Sequence, residues 1–298
     1  MAALITSDFE IPNDIAHGIF EKAQKGSALA KLSGARPQKF GKQQVWVLTA
    51  PPKAEIVGEG AEKSPTPTTY ANKTINPIKL QVTMRFSQEV KWADEDTQIG
   101  VLQDLASNSG IALGRALDLV GIHKINPLTG QVSSLVPAGL IDTTQAVTIT
   151  GAKYDEAIEA ASGLIIEAGY TPSGVAMDPT LSFGISTMRD VNGRKIYPEL
   201  GFGQNLTNFM GMNAAVSDTV SAKNEIAVAS NLEGIVGQFD AFRWGVQRSI
   251  GAHLIEYGDP DGLGDLQRQN QLAIRAEIVY GIGIMDDKAF VKINKATS

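Results

Sequence analysis

The feature that most constrains this chain of 298 residues is a long polar segment between two runs with strand patterns. A strand is predicted around Val45–Leu48, and the prolines at 51 and 52 interrupt it. Apolar and polar residues then alternate over Ile78–Phe86, the period of a strand with one buried face. The intervening VGEGAEKSPTPTTYANK, residues 57–73, contains glycines and prolines that oppose regular structure. The pattern predicts a long hairpin, and a tip of this length in a compact domain is usually disordered or functional.

A long helix is predicted next, from about Asp96 to Ile122, because acidic residues at its start favour the helix dipole. At 1.5 Å per residue it would span on the order of 40 Å. Gly121 is expected to begin its end. One apolar stripe repeats along the helix at spacings of three and four: Leu102, Leu105, Ser109, Ala112, Ala116 and Leu119. Packing against another element must hold such a helix, since isolated helices are marginally stable in water.

The region that follows mixes helix and strand patterns. Residues 154–168 place apolar side chains on one helical face. In residues 173–197, Asp178 suits a helix N-cap and Asn192-Gly193 suits a turn, which predicts the order strand, helix, turn, strand.

The last quarter of the sequence is predicted to be mainly strands. Apolar strands are indicated at residues 225–230 and 234–239. Apolar residues then occupy every second position from 272 to 284, which predicts a long strand. Residues 286–293 read as a turn that leads into one more strand.

Composition places the chain among proteins that fold, since 43% of its residues are hydrophobic and 19% are charged. The formal net charge of -6 argues against a dedicated nucleic-acid binder, which would usually be basic. The absence of cysteine excludes disulfides, thiolate metal sites and a cysteine nucleophile. No secretory or membrane-spanning pattern occurs, so we expect a cytosolic product without a membrane anchor.

The first 44 residues are expected to form an extended arm with one short helix near Ile15 to Gln24. Basic residues and no acidic ones occur between positions 25 and 42 of this arm: Lys25, Lys31, Arg36, Lys39 and Lys42. Two interpretations stay open, a solvated linker or a basic strip that faces an acidic neighbour or DNA.

The motif survey predicts no enzyme, no cofactor and no metal site. Three histidines occur without metal-ligand spacing: His17, His123 and His253. A calcium loop is matched only in part by three aspartates, Asp259, Asp261 and Asp265, so a plain turn is favoured. Gly58 and Gly60 lack the third glycine of a dinucleotide fingerprint, and neither a Walker motif nor a Gly-x-Ser-x-Gly elbow is present.

The order of arm, hairpin, lone long helix and α/β region resembles the major capsid protein of tailed bacteriophages, which has the Hong Kong ninety-seven-like fold. The stretch VGEGAEKSPTP, followed by PIKLQVTMRFSQEV, resembles the family's E-loop. The stretch SGVAMDPTLSFGISTMRDVNGRKIY resembles its axial-domain strand, Asp-Pro helix and Asn-Gly-Arg turn. The stretch QNQLAIRAEIVYGIGIMDDKAFVKI resembles its closing strand and terminal Ala-Phe-Val motif. The resemblance covers essentially the whole chain and implies fold class α+β.

The resemblance also implies a division of the chain and a function. The implied segments are an N-arm at 1–44, an E-loop at 45–91, a peripheral domain with a spine helix at 92–150, an α/β axial domain at 151–257, and the C-terminal strands of the peripheral domain at 258–298. The implied function is self-assembly, through hexamers and pentamers, into the icosahedral head shell around phage genomic DNA. Each E-loop would lie across a neighbouring subunit.

The implied partners are further copies of the chain, scaffold, portal and decoration proteins, and double-stranded DNA bound by non-specific contact. The implied location is the virion capsid, after synthesis in the host bacterial cytoplasm. Because the sequence starts with Met1 close to the arm, we expect a separate scaffold protein rather than a cleaved segment. Two other functions stay open: an encapsulin-type shell that holds a cargo enzyme, and an α/β enzyme with an unrecognised site.

Some members of the resembled family join their subunits by an isopeptide bond between an E-loop lysine and an asparagine of a neighbour, assisted by a glutamate. The matching residues here are Lys63, Asn270 and Glu277. The simpler interpretation makes Lys63 a solvated loop charge, Asn270 a strand-entry residue and Glu277 the ion-pair partner of Arg275.

Overall fold

The structure is a computed structural model that describes residues 27–50, 52–66, 69–92, 95–201, 206–226 and 230–296. Its helices are α1 (Ala28–Leu32), α2 (Glu95–His123), α3 (Tyr154–Glu167) and α4 (Pro179–Thr187). Its strands are β1 (Gln43–Ala50), β2 (Thr69–Ser87), β3 (Ala146–Ile149), β4 (Gly174–Met177), β5 (Asn208–Phe209), β6 (Met212–Val216), β7 (Leu232–Gly237), β8 (Phe242–Ile255), β9 (Gln271–Ile284) and β10 (Phe290–Lys295). The predicted helix near Ile15 to Gln24 lies outside the described residues.

A four-stranded antiparallel sheet is built in the order β1-β2-β9-β8. The predicted hairpin is present, but the tip predicted at 57–73 is too long, because the second limb, β2, is a single strand of 19 residues that starts at Thr69 and pairs with β1 from there. The first part of β2 pairs with β1, from Thr69 to Ile75. The second part pairs with β9, from Asn76 to Ser87. The hairpin therefore extends beyond the rest of the sheet, while its base belongs to the sheet.

Helix α2 packs against one face of this sheet, which confirms the predicted long helix. Its last three turns are buried on nearly every side, with Leu113 and Leu117 in the same core as Ile278 and Tyr280. The buried surface of the helix is wider than the predicted apolar stripe, and Leu105 of that stripe is only half-buried. Gly121 does not end the helix. A Cβ there would lie 2.7 Å from Cδ1 of Leu29, so the glycine lets α1 pack closely against α2.

A six-stranded sheet forms the second half of the molecule, in the order β3-β10-β7-β4-β6-β5. Helix α3 packs on it through its predicted apolar face, where Ala157, Ile158, Ala161 and Ile165 are buried. Asp178 caps α4 as predicted, accepting a hydrogen bond from the amide of Thr180 at 2.8 Å. The strand predicted after the Asn192-Gly193 turn is wrong, because only the isolated bridge between Arg189 and Lys195 forms there.

The strand predicted at residues 225–230 lies partly outside the described residues, at 227–229, and Glu225 itself lies in a turn. The strand predicted at 234–239 is confirmed as β7, which starts two residues earlier. The long alternating strand and the final strand are confirmed as β9 and β10.

The segment boundaries implied at residues 150 and 257 cut across both sheets. Strand β3, before the first boundary, and β10, after the second, both belong to the six-stranded sheet. Strand β8, between the two boundaries, pairs with β9 of the four-stranded sheet. Pairing between strands far apart in sequence leaves no local pattern, so the periodicity of each strand does not indicate its sheet.

Candidate functional site

The tip of the hairpin, residues 52–66, contains neither helix nor strand and is exposed throughout. Glu55 holds the two sides of the loop together by accepting hydrogen bonds from the amide and hydroxyl of Ser64, at 3.2 and 3.3 Å. The hydroxyl of Thr66 donates to the carbonyl of Lys53 at 3.2 Å. These bonds compete with water because every partner is exposed. The loop thus has little support from its own subunit.

Large apolar side chains are exposed along the hairpin. Trp46 and Tyr70 are 69% and 55% exposed, and their rings meet edge to face at a centroid distance of 6.5 Å. Ile56 in the loop is fully exposed. Within the described sheet, β1 is an edge strand, and its sequence QQVWVLTA contains no charge and no proline. Natural edge strands are usually protected by such residues, so this edge is suited to a contact with another chain.

A buried carboxylate anchors the arm to the long helix. Asp118 of α2 has no exposed surface and accepts hydrogen bonds from the amides of Ala28 and Leu29, at 2.8 and 3.0 Å. The hydroxyls of Ser27 and Thr219 donate to it as well, the latter at 2.6 Å. Burial raises the pKa of Asp118, and the four donors oppose that shift. One side chain therefore joins the arm, the helix and the segment before β7.

The segment 217–226 links α2 to the six-stranded sheet. On the helix side, Arg115 binds Asp218 at 2.7 and 3.0 Å and also pairs with Glu225. The Nε2 of His123 donates to the carbonyl of Val220 at 2.9 Å. Arg115 and His123 are eight residues apart on α2, so the segment is bonded to the helix along its last third.

The same segment is bonded to the start of α4 on its other side. The hydroxyl of Ser221 donates to the buried carboxylate of Asp178. Lys223 lies 3.5 Å from Asp178 and 3.8 Å from the buried Glu233. The two halves of the molecule are therefore joined by charged and polar bonds in addition to the shared core.

Arg85, near the end of β2, organises the acidic loop before β9. Its guanidinium lies 2.8 and 3.0 Å from the carboxylate of Asp261 and 3.1 Å from that of Asp259. It also donates to the side chain of Gln269 and the carbonyl of Gly264, both at 2.8 Å. Hydrogen bonding to Arg85 lowers the pKa of Asp261. Two of the three aspartates that resemble part of a calcium loop, Asp259 and Asp261, thus pair with an arginine, while Asp265 accepts a hydrogen bond from the amide of Arg268 at 3.0 Å. The described residues contain no cluster able to hold a metal ion.

The three cross-link candidates lie apart from one another in the fold. Lys63 and Asn270 are exposed, the first in the hairpin loop and the second in a left-handed conformation just before β9. The carboxylate of Glu277 is 2.8 Å from Nζ of Lys79, so its expected pairing with Arg275 is wrong. Arg275 instead binds the hydroxyl of Thr83 and the carbonyl of residue 260.

The reason for the different ion pair is geometric. Residues 275 and 277 are neighbours on one face of one strand, but Lys79 of β2 lies diagonally across from Glu277 and reaches it directly. Seven residues of extended strand between 270 and 277 span roughly 23 Å. The carboxylate of Glu277 therefore cannot serve the amide of Asn270 in the same copy, and the three groups could meet only if different copies supply them.

Sequence reasoning missed the two side chains that organise the most contacts, Asp118 and Arg85. A signal for Asp118 exists, since it is the one ionisable residue in the apolar stretch ALDLVGI. Arg85 reads as an ordinary polar position of an alternating strand, and only the excess of aspartate in the distant loop hints at its role. Among the helices of the described residues, none is long and apolar enough to cross a membrane.

The chain is similar to known proteins in both family and fold. The family model described as the phage capsid family matches residues 8–295. A solved structure from Mycobacterium phage Ogopogo is 53% identical, with 91% of this chain and 92% of that chain covered and a TM-score of 0.80. One from Gordonia phage Cozz is 31% identical, with coverages of 91% and 87% and a TM-score of 0.79.

More distant structures share the fold alone. The capsid of an empty GTA particle computed with C5 symmetry is 15% identical, with coverages of 91% and 90% and a TM-score of 0.65. A comparison with curated proteins found no match.

Proposed function

Because the chain belongs to the phage capsid family, as a major capsid protein whose copies form the head shell, we propose that its hairpin is the contact by which each copy holds a neighbour. The observation that carries this proposal is the exposed apolar surface of Trp46, Tyr70 and Ile56 on a hairpin whose loop has little support from its own subunit. A surface of this kind is costly in water and gains stability when a partner covers it. The fold is the mixed α+β, Hong Kong ninety-seven-like one.

The experiment replaces residues 54–65 with Asn-Gly, which keeps β1 and β2 intact. We expect the isolated subunit to keep its unfolding free energy, because the side-chain hydrogen bonds described for the loop lie within it. We also expect closed shells to be lost. Circular dichroism melts and electron microscopy of assembly reactions measure the two effects. A loop of unchanged length built from Gly and Ser is the matched control, since it separates lost contacts from lost length. Normal shells from both variants would contradict the proposal.

We propose that the copies are arranged as hexamers and pentamers, with the six-stranded sheet in the axial domain and the four-stranded sheet with α2 in the peripheral domain. If each strand is assigned to a domain by the sheet it belongs to, β8 falls in the peripheral domain, and β3 and β10 fall in the axial domain. The resemblance supports the placement of the axial domain at the capsomer centre. A micrograph reconstruction of the particles at moderate resolution would test it.

The protein is a structural component of the virion capsid. We propose that it is synthesised in the host bacterial cytoplasm and that its shell encloses double-stranded DNA through non-specific contacts. Exposed basic side chains on the arm support such contacts, namely Lys31, Lys39 and Lys42. Scaffold, portal and decoration proteins are proposed partners on the resemblance alone. Nucleic acid in purified particles would favour this function over a cargo-enclosing shell.

Cross-linking through Lys63, Asn270 and Glu277 stays a prediction. Two features are compatible with it, since Lys63 and Asn270 are both exposed for contact with other copies. The ion pair between Lys79 and Glu277 would have to open before Glu277 could take a proton. Denaturing gel electrophoresis of mature particles tests it, and a single band near 31.7 kDa would contradict it.

A further inference from the structure

The chain crosses the four-stranded sheet between α1 and β1, and we call residues 33–42 the strap. The strap starts beside β8, where the hydroxyl of Ser33 donates to the carbonyl of Phe242 and the indole of Trp244 donates to the carbonyl of Ser33, both at 2.8 Å. The amide of Arg36 then donates to the carbonyl of Trp244 at 2.9 Å. It ends at β1, on the opposite edge of the sheet. The strap therefore spans the sheet just before the hairpin begins.

Two paired glycines make room for the strap. Gly245 of β8 and Gly281 of β9 lie opposite each other in register. A Cβ on Gly245 would collide with the carbonyl oxygen of Arg36, and one on Gly281 would collide with the side chain of Gln38. Because Trp244 belongs to the core shared with α2, its neighbour Gly245 faces the other way, and the strap lies on the face opposite the helix.

A bulge in β8 aims one side chain at the far end of the strap. The register of β8 against β9 shifts between Val246 and Arg248, which leaves Gln247 as the extra residue. Its Oε1 accepts from the amide of Gly41 at 2.9 Å, and its Nε2 donates to the carbonyl of Gly41 at 3.0 Å. The same Nε2 donates to Oε1 of Gln38 at 3.3 Å.

Gly41 is the residue at which the strap turns into β1. Its φ of 107° lies in a region that residues with a side chain rarely adopt. The turn is therefore held by a backbone conformation that needs glycine and by both polar atoms of the Gln247 amide. The contact occurs two residues before β1 starts at Gln43.

We infer that Gln247 is a positioning residue for assembly: by clamping Gly41 it sets the direction in which the hairpin leaves the sheet. Among the described residues, the hairpin is bonded to the rest of the subunit through its two limbs, and β2 is fixed by β9. The strap fixes the other limb at its root. This inference rests on the proposed function, because the direction of the hairpin matters only if a neighbouring copy receives it.

The experiment uses the full-length chain with Gln247→Leu, which keeps the size of the side chain and removes both hydrogen-bonding atoms. Hydrogen exchange of the unassembled subunit should show roughly tenfold faster exchange at Gly41, as expected for the loss of about one hydrogen bond. The unfolding midpoint should change little, and electron microscopy should show a loss of closed shells in favour of open or irregular assemblies. Gln81→Leu, at an exposed position of β2 that pairs with Glu277 of β9, is the matched control.

A second variant decides the matter if Gln247→Leu fails to fold. Gly41→Ala leaves the sheet untouched, since nothing lies within 4 Å of the added Cβ, and disfavours only the turn. Normal closed shells from a variant with accelerated exchange at Gly41 would overturn the inference, as would unchanged exchange at Gly41. The loop replacement at 54–65 separates the two proposals. If it abolishes shells while the strap variants assemble normally, the proposed function stands and this inference fails.

Discussion

The two parts of β2 compare one strand in two environments. From Asn76 onward it pairs with β9, and its inner face lies in the core shared with α2, where Ile78 is only 8% exposed. From Thr69 to Ile75 it pairs with β1 alone, and Tyr70 is 55% exposed. The backbone is one continuous strand through both parts, so what differs is whether the subunit supplies a second layer. Where it does not, we propose that another copy covers the surface.

The supporting polar contacts differ in the same way. The body is held by buried groups such as Asp118, whose four donors are shielded from water. The hairpin loop is held by Glu55, whose bonds to Ser64 are exposed. A hydrogen bond at a buried site is costly to break, because the group left behind has neither a protein partner nor water to bond to. We therefore expect substitutions at the buried groups of the body to affect subunit folding and those in the hairpin to affect assembly.

The largest effect is expected for Asp118→Ala, which leaves two amides and two hydroxyls without their acceptor. The unfolding free energy of the unassembled subunit should fall by roughly 3–5 kcal/mol. Urea denaturation measures it. Asp104→Ala, at an exposed position on the same helix, is the control and should stay within about 0.5 kcal/mol of the parent. Equal effects at both positions would remove the distinction between body and surface.

A smaller effect on the subunit is expected for Trp46→Ala in the hairpin. Loss of the edge contact with Tyr70 should lower the unfolding free energy by about 1 kcal/mol or less. The yield of closed shells should fall much more, since we propose that a neighbour covers this side chain. Trp244→Ala gives the contrast, because Trp244 is 1% exposed and its removal should cost roughly 3–5 kcal/mol. Parent-like shell yield from Trp46→Ala would show that no copy covers this ring.

The smallest effect is expected from pH, through His123. Burial lowers the pKa of His123 from its ordinary value of 6.5, while Val220, Thr219 and Glu225 around it oppose the shift. The unfolded chain therefore gains a proton near pH 6.5 that the folded chain does not, so stability is lost as pH falls below that value, until the folded pKa is passed.

His123→Gln keeps a donor for the carbonyl of Val220 and should remove this slope. Denaturation series between neutral and mildly acidic pH measure it. Asp118 has the opposite sign, because its raised pKa makes the folded state bind a proton more readily in acid. The difference between the parent and His123→Gln at each pH therefore isolates the histidine. Parallel pH curves for the two proteins would assign the acid sensitivity to other groups.

Local patterns were sufficient to predict most elements of this fold. Alternation predicts β2 and β9, and the spacing of apolar residues predicts α2, because each element buries one face against a layer beside it. The cap at Asp178 follows from its residue type and the proline after it. Resemblance to the capsid family supplied the architecture and the function that periodicity alone could not.

Contacts between distant segments were beyond sequence reasoning. The four bonds of Asp118 come from residues about a hundred positions away in either direction, and those of Arg85 come from a loop beyond position 258. The clamp of Gln247 on Gly41 depends on a bulge, which no alternation pattern marks. Such groups become visible only when the fold brings the segments together.

The unbroken course of β2 has a mechanical consequence. Its outer seven residues add roughly 23 Å to the sheet, and the loop lies further out still. A tilt of about 5° at the base would shift the end of the strand by roughly 2 Å, comparable to the tolerance of a packed contact. A small error of direction at the base of the strand is therefore magnified at the tip, and the curvature of a closed container depends on the residues that fix the root of the hairpin.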